Sequence, residues 1–269
     1  MHIRKVSRAG DYALIQNYAA LQYGAPGQKR RKKTNETKEA QAKNNLKVKA
    51  EKLQLLILAN FREGQHIILR YEKEDQKCTY REAEERLSKF LRRVRREAKK
   101  NDKDFKYIAI TERGKRRDVL HHHMIVEDDP VIIELIKKHW GRNILQAPMY
   151  DEGAYEKLAE YFVKTETKEE NEKGRAKYHR SRNLREPDVT RQITTQKWSD
   201  EPRIPDGWEL VPETFYNGTN KALGLKYQKY MVRKIKGESP KKDPQKPKNN
   251  VIKRTLHKIK KLFGGRHGP

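Results

Sequence analysis

An apolar segment that contains three consecutive histidines constrains the fold more than any other feature of the sequence. Residues 119–126 read Val-Leu-His-His-His-Met-Ile-Val, and burying imidazoles in such a strand costs free energy unless their nitrogens are used. Alternation along a strand directs His121 and His123 to one face and His122 to the other. Residues 107–112 also have a strand pattern, and a turn at 113–115 joins the two segments. The sequence therefore predicts a hairpin with two histidines on one face.

Glu112 ends the first strand of this predicted hairpin. If residue 112 pairs near residue 121, its carboxylate joins the face of His121 and His123. Two imidazoles spaced about 6.6 Å along a strand can converge on one cation. Two nitrogens and one carboxylate leave coordination positions open for substrate and water, as a catalytic metal site requires. The alternative is a polar strand whose histidines only hydrogen-bond the backbone or water.

A second candidate feature is the edge of an amphipathic helix predicted over residues 154–165. The apolar stripe of this helix follows helical spacing and consists of Tyr155, Leu158, Ala159 and Phe162. Tyr161 lies about 100° around the helix from the centre of the stripe, so its hydroxyl is expected to remain accessible. Lys164, one turn further on, shares that side and would stabilise a phenolate or orient a phosphate. An amphipathic edge with no chemical role explains the same pattern.

The order of the remaining elements indicates the fold class. A strand over 66–71 precedes a helix that starts at the capping-box pattern of Thr79 and Glu82. Further segments favour a helix over 46–61, a helix over 130–139, and short strands over 193–198, 208–216 and 225–235. The order strand, helix, strand, strand, helix, helix predicts an α+β fold with a mostly antiparallel sheet and helices packed on it. The core is expected to begin at Gly64.

The charge of the chain indicates the class of its partner. Lys and Arg number 63 against 37 Asp and Glu, which gives a net charge of +26. Such a charge repels itself in a compact fold unless a polyanion neutralises it, and counterion release favours nucleic acid in that role. A ribosomal or membrane-surface protein shares this balance. The second face of the helix after Thr79 is basic, and we expect Arg92, Arg93 and Arg96 to contact DNA.

Other sequence features indicate a soluble cytoplasmic protein. The N-terminus lacks the apolar core of a secretory signal, and the longest apolar run, 53–59, is too short to cross a bilayer. The single cysteine, Cys78, excludes an internal disulfide and fits a reducing cytoplasm.

The combination of a His-rich strand followed by a helical Tyr-x-x-Lys in a basic chain resembles the HUH replication-initiator superfamily. The middle position of the histidine motif is hydrophobic in that superfamily and is His122 here. Three further segments are similar to the initiators of Gram-positive phages, plasmids and conjugative elements: 59–71, 107–112 and 181–187. The resemblance covers residues 45–235. Arg70 before Tyr71 departs from the threonine-rich strand that is usual in the family.

The resemblance implies an HUH/RRM-like catalytic core and a site-specific single-strand DNA nickase and ligase. A divalent cation held by His121, His123 and Glu112 would polarise the scissile phosphate. Tyr161 would attack it, leaving a 5′-phosphotyrosine and a free 3′-hydroxyl. Imidazole with carboxylate oxygen suits Mg²⁺ or Mn²⁺. Further DNA contacts are expected at Arg70, Arg182 and Asn183.

The expected partners are single-stranded DNA at a replication origin, a host polymerase primed by the 3′-hydroxyl, and a host helicase. The helicase is expected because the sequence contains no GxxxxGK[ST] phosphate loop. The chain is expected to divide into a basic N-terminal arm and helix (1–60), an HUH catalytic domain (61–192), a strand-rich extension (193–235) and a basic linker with an amphipathic tail (236–269).

Three other functions agree with part of the sequence. A conjugative relaxase of the same superfamily shares the metal site, but its tyrosine usually precedes the histidines. A single-tyrosine transposase keeps the order found here but is typically far shorter. A basic nucleic-acid-binding protein without activity explains the charge but leaves the three histidines of the apolar strand without a role.

Overall fold

The computed structural model describes residues 2–19, 39–114, 119–141, 143–149, 152–169, 178–220 and 224–235. The described chain has an α+β fold with two antiparallel five-stranded sheets and four α-helices. The helices are α1 (Glu39–Asn60), α2 (Tyr80–Lys100), α3 (Pro130–Trp140) and α4 (Glu156–Glu169). Short 3-10 turns lie at Lys73–Asp75 and Glu152–Tyr155. None of these helices is long and apolar enough to cross a membrane.

The central sheet carries the histidine strand. It is formed by β3 (Gly64–Arg70), β4 (Tyr107–Arg113), β5 (Leu120–Glu127), β6 (Ile144–Pro148) and β7 (His179–Arg180). The strand order is β6-β3-β5-β4-β7, so β5 lies in the middle with β3 and β4 on either side. The predicted α+β class and the predicted hairpin of β4 and β5 are confirmed.

A second sheet, here called the terminal sheet, joins the two ends of the described chain. It is formed by β1 (His2–Ala9), β2 (Tyr12–Ala19), β8 (Asp188–Thr194), β9 (Trp208–Asn220) and β10 (Leu225–Lys234), in the order β8-β1-β2-β10-β9. The expectation that the core begins at Gly64 is therefore wrong, because Val6, Ala13 and Ile15 are already buried in this sheet.

Several strand boundaries also differ from the sequence prediction. The strand predicted at 193–198 is found at Asp188–Thr194, and β6 and β7 were not predicted. β1 was missed because basic residues interrupt its apolar alternation, and neighbouring strands of the sheet complete its packing. The predicted helix over 46–61 is the second part of α1. Most of the basic segment before residue 39, and the tail at 236–269, lie outside the described residues.

Two apolar clusters cover opposite faces of the central sheet. On one face, α2 and α3 pack against Ile67 and Met124. On the other face, α1 and α4 pack against Ile108 and Ile125. The second cluster continues through α1 to Leu14 of the terminal sheet. The order of layers is therefore α2 and α3, the central sheet, α1 and α4, and then the terminal sheet.

The start of α2 follows the sequence closely. The Thr79 hydroxyl accepts a hydrogen bond from the Glu82 backbone N–H at 3.3 Å, and the Glu82 carboxylate accepts one from the Thr79 N–H at 2.7 Å. The apolar stripe predicted for this helix is buried at every position, namely Tyr80, Ala83, Leu87, Phe90, Leu91, Val94 and Ala98. The capping box thus fixes the first turn, and the stripe fixes which side of the helix faces the sheet.

We expect Thr79→Ala to lower the free energy of unfolding by about 1 kcal/mol, because the first turn loses the hydroxyl that satisfies its N–H groups. Chemical denaturation of the two proteins measures the difference. Thr79→Ser retains the acceptor and serves as the control. Equal destabilisation by Ala and Ser would show that the methyl group of Thr79, rather than its hydroxyl, stabilises the helix start.

Candidate active site

The register of the central sheet brings three potential metal ligands together. Glu112 of β4 pairs with His121 of β5, which is the pairing assumed from the sequence. The Nε2 atoms of His121 and His123 are 3.0 Å apart, and the Glu112 Oε2 atom lies 3.1 Å from the His123 Nε2 and 3.6 Å from the His121 Nε2. All three ligand atoms lie within 4.8 Å of one another. Glu112, His121 and His123 are here called the metal triad.

The metal triad holds its carboxylate in the ionised form. Burial alone would raise the pKa of Glu112, but hydrogen bonds from His121, His123 and Tyr161 outweigh burial and hold this pKa well below its usual range. An ionised carboxylate beside two imidazoles is the donor set that divalent cations such as Mg²⁺ and Mn²⁺ accept. The residues therefore fit a single divalent ion, with one face open toward solvent through the half-buried Glu112 and His121.

Tyr161 of α4 reaches the same point. Its hydroxyl donates a hydrogen bond to the Glu112 Oε2 atom and lies 3.0 Å from the His123 Nε2. The Tyr161 side chain remains 37% exposed, whereas Tyr155 is buried in the core at 5%. The helix stripe therefore separates the two tyrosines as the sequence indicated, and only Tyr161 of this pair contacts the metal triad.

The start of α4 is held in an unusual backbone conformation. Ala154 and Tyr155 have φ angles of +51° and +60°, a region that side chains other than glycine rarely adopt. The Gln54 side chain of α1 donates a hydrogen bond to the Ala154 carbonyl at 2.8 Å, and both residues are buried against α1. Local strain of this kind persists where the surroundings fix it. Here it sets the direction in which α4 begins and therefore where Tyr161 points.

His66 of β3 lies directly behind the metal triad. Its Nε2 atom is 3.0 Å from the Nδ1 atom of His123, and the two rings stack at 5.2 Å. Burial, together with the nearby charge of His123, lowers the pKa of His66 to about 4. A neutral His66 that accepts the Nδ1–H of His123 leaves the His123 Nε2 lone pair free for a metal. The sequence analysis missed His66, although alternation with Arg70 already places both on one face of β3.

His122 belongs to the other face, as alternation predicts. It is fully buried, with its Nε2 atom 2.7 Å from the Tyr71 hydroxyl and its Nδ1 atom 2.8 Å from Thr111 Oγ1. Burial lowers the pKa of His122 to about 3, so the ring is neutral at neutral pH. Thr111 also donates to Glu84. His122 therefore connects β5 to its neighbours inside the layer of α2.

A cleft of about 1000 Å³ opens beside the metal triad. Its wall runs from Tyr161 and His121 past Arg70 to Gln76 and Asn143. Arg70 is exposed and is paired with His121 in the β3–β5 register. The substitution of arginine in this strand thus places a positive charge in the wall of the cleft, next to the metal triad.

The other predicted site residues lie elsewhere. The Lys164 ammonium pairs with Glu160 at 3.2 Å and is therefore engaged by that carboxylate rather than by the Tyr161 phenol. Arg182 and Asn183 are exposed in the turn after β7. The arginines of α2 are exposed on the outer side of that helix, and α2 covers the face of the central sheet opposite the metal triad.

Comparison with known proteins gives one match. Residues 67–170 match the model of a family described as replication-associated protein ORF2. The match supports a family of rolling-circle replication initiators. The matched segment runs from β3 to just beyond α4, covers less than half of the chain, and contains the metal triad, Tyr161 and Lys164. No curated protein and no solved structure matches the chain.

Proposed function

We propose that this chain is a rolling-circle replication initiator of the HUH type that nicks and rejoins one DNA strand through a phosphotyrosine intermediate. The observation that supports the proposal most directly is the contact of the Tyr161 hydroxyl with both Glu112 and His123 of the metal triad. A tyrosine hydroxyl at a ligand set for a divalent ion is the arrangement that nucleophilic attack on a phosphodiester requires. The charge of +26 provides the affinity for a polyanion.

In this mechanism a bound Mg²⁺ or Mn²⁺ supplies Lewis-acid polarisation of the scissile phosphate. His121, His123 and Glu112 would hold the ion. The Tyr161 hydroxyl, oriented by its hydrogen bond to Glu112, releases its proton as its oxygen forms a bond to phosphorus. The bond from phosphorus to the 3′-oxygen breaks, and that oxygen leaves as a 3′-hydroxyl after gaining a proton. One phosphodiester replaces another, so the same residues catalyse the reverse reaction and rejoin the ends.

The cleft beside the metal triad is the proposed site for single-stranded DNA. Arg70 in its wall would pair with a phosphate near the scissile one. Lys164 would assist only after exchanging Glu160 for a phosphate or phenolate. Arg182 and Asn183 would contact the strand outside the cleft. The 3′-hydroxyl would prime a host polymerase, and a host helicase would separate the strands. On the resemblance of its segments, we place the chain with the initiators of Gram-positive phages, plasmids and conjugative elements.

The decisive experiment is trapping of the covalent adduct. The protein is incubated with Mn²⁺ and end-labelled single-stranded DNA tiled across its own genetic element, and label that stays with denatured protein is measured. The proposal requires metal-dependent label on the 5′ side of one cleavage position. Salt-sensitive binding that is unaffected by chelator, with no cleavage of any strand, would instead establish a non-catalytic nucleic-acid-binding protein.

A separate prediction concerns His66. We expect His66→Leu to weaken Mn²⁺ binding about 10- to 100-fold, because removal of the partner that orients a metal-binding histidine has an effect of this size. His66→Gln retains a carbonyl that can accept the His123 Nδ1–H and should recover part of the affinity. Calorimetric titration with Mn²⁺ measures both variants, and ¹⁵N NMR of the metal-free protein reports the His123 tautomer. Wild-type affinity and tautomer in His66→Leu would contradict the orienting role.

A further inference from the structure

The outer face of α2 carries a continuous row of cations, here called the basic ridge: Lys89, Arg92, Arg93, Arg96, Lys99 and Lys100. All six side chains are exposed. They lie on the side of the helix away from the buried stripe that packs on the central sheet. With a rise of about 1.5 Å per residue, the basic ridge extends over about 17 Å.

The cations of the basic ridge have no acidic partner within the described part of the chain. Glu97 is the single carboxylate between residues 89 and 100, and it is already paired with Lys138 at 2.8 Å and His139 at 3.0 Å. Pairs such as Arg92 and Arg96 lie one helical turn apart, where like charges repel and destabilise the helix. The free protein therefore bears a repulsion that an anionic partner would relieve.

The basic ridge is separate from the cleft. Leu87 and Val94 of α2 pack with Met124 on one face of the central sheet, whereas the metal triad lies on the other face with α4. The full thickness of the sheet therefore separates the two surfaces, and the basic ridge cannot contact a strand at Tyr161 from within the same cleft.

The chemistry of the basic ridge favours duplex DNA over other polyanions. Proteins that bind single strands stack the bases on exposed aromatic side chains, but the two aromatic residues of α2, Tyr80 and Phe90, are buried. The basic ridge also lacks an apolar side chain that would enter a membrane. A rigid row of about 17 Å spans a length of duplex that carries roughly ten phosphates, so regularly spaced cations meet regularly spaced anions.

We propose that the basic ridge binds the phosphate backbone of duplex DNA, on the side of the central sheet opposite the single-strand cleft. This assigns Arg92, Arg93 and Arg96 to a second DNA surface rather than to the nicking site. It goes beyond the proposed reaction and does not depend on it, because duplex binding requires neither the metal triad nor Tyr161. The two surfaces together would hold the molecule on duplex DNA while one strand enters the cleft.

The test is the salt dependence of duplex binding by Arg92→Gln/Arg93→Gln/Arg96→Gln. Gln matches Arg in helix propensity, so the helix is retained. Fluorescence anisotropy with a labelled duplex of about 30 base pairs and excess EDTA gives the dependence of log K on log salt, and its slope should fall by about three when three phosphate contacts are lost. The melting temperature of the free variant should rise at low salt and less so at high salt, because self-repulsion is relieved.

The matched control removes the same charge from the terminal sheet and its adjoining loops, as Arg191→Gln/Lys197→Gln/Lys226→Gln, all of which are exposed. It should leave the slope near the wild-type value. An equal fall in both triple variants would show a general field rather than a site. An unchanged slope in the α2 variant, or a loss confined to single-stranded DNA or to an acidic peptide used as competitor, would overturn the duplex assignment. Because EDTA is present throughout, failure of the nicking reaction does not affect this result.

Discussion

Tyr161→Phe is expected to eliminate the covalent DNA adduct while leaving the fold intact. The substitution removes one oxygen from a side chain that is 37% exposed at a helix edge, so packing changes little. The lost oxygen is the atom that contacts Glu112 and His123 and the one proposed to attack phosphorus. Denaturing gels with end-labelled single-stranded DNA and Mn²⁺ measure the adduct, and thermal unfolding verifies the fold.

Tyr155→Phe is the matched control for this experiment. It makes the same chemical change six residues earlier in the chain, but its ring is buried in the core beneath α4. We expect this variant to form the adduct. Peptide mapping of the trapped wild-type protein identifies the attached residue directly. Attachment at Tyr155, Tyr150 or any residue other than Tyr161 would contradict the assignment of the nucleophile.

The central sheet was more predictable from the sequence than the terminal sheet, and the reason is local patterning. The histidine strand, the hairpin partner that ends at Glu112 and the capped helix α2 each carry a pattern within one segment. β1 pairs with both β2 and β8, and the latter begins almost 180 residues later, so its burial depends on contacts that no local pattern contains. Its basic side chains hide the alternation further.

The candidate site divides in the same way. Alternation sufficed to place His121 and His123 on one face, and helical spacing sufficed to separate Tyr161 from Tyr155. The meeting of α4 with β5 did not follow from either pattern, because it depends on the backbone conformation at Ala154 and its hydrogen bond from Gln54. The position of α2 behind the sheet likewise depends on packing across layers.

The three histidines of β5 should separate into two classes when each is replaced by alanine. His121→Ala and His123→Ala each remove one of three ligands from the metal triad, so we expect Mn²⁺ binding and nicking to be lost. DNA binding should persist, because phosphate contacts come from Lys and Arg. His123→Ala should have the larger effect, since His123 also contacts Tyr161 and His66.

His122→Ala should show the opposite behaviour. It leaves the Tyr71 hydroxyl without its histidine partner in the core and removes the bond of Thr111 to the ring, and each buried polar group left unsatisfied costs about 1–3 kcal/mol. The free energy of unfolding should therefore fall, while the protein that remains folded binds Mn²⁺ with the wild-type affinity. Calorimetric Mn²⁺ titration and chemical denaturation of all three variants separate the two classes. Loss of Mn²⁺ binding by folded His122→Ala would mean that β5 presents its histidines to the opposite faces from those described.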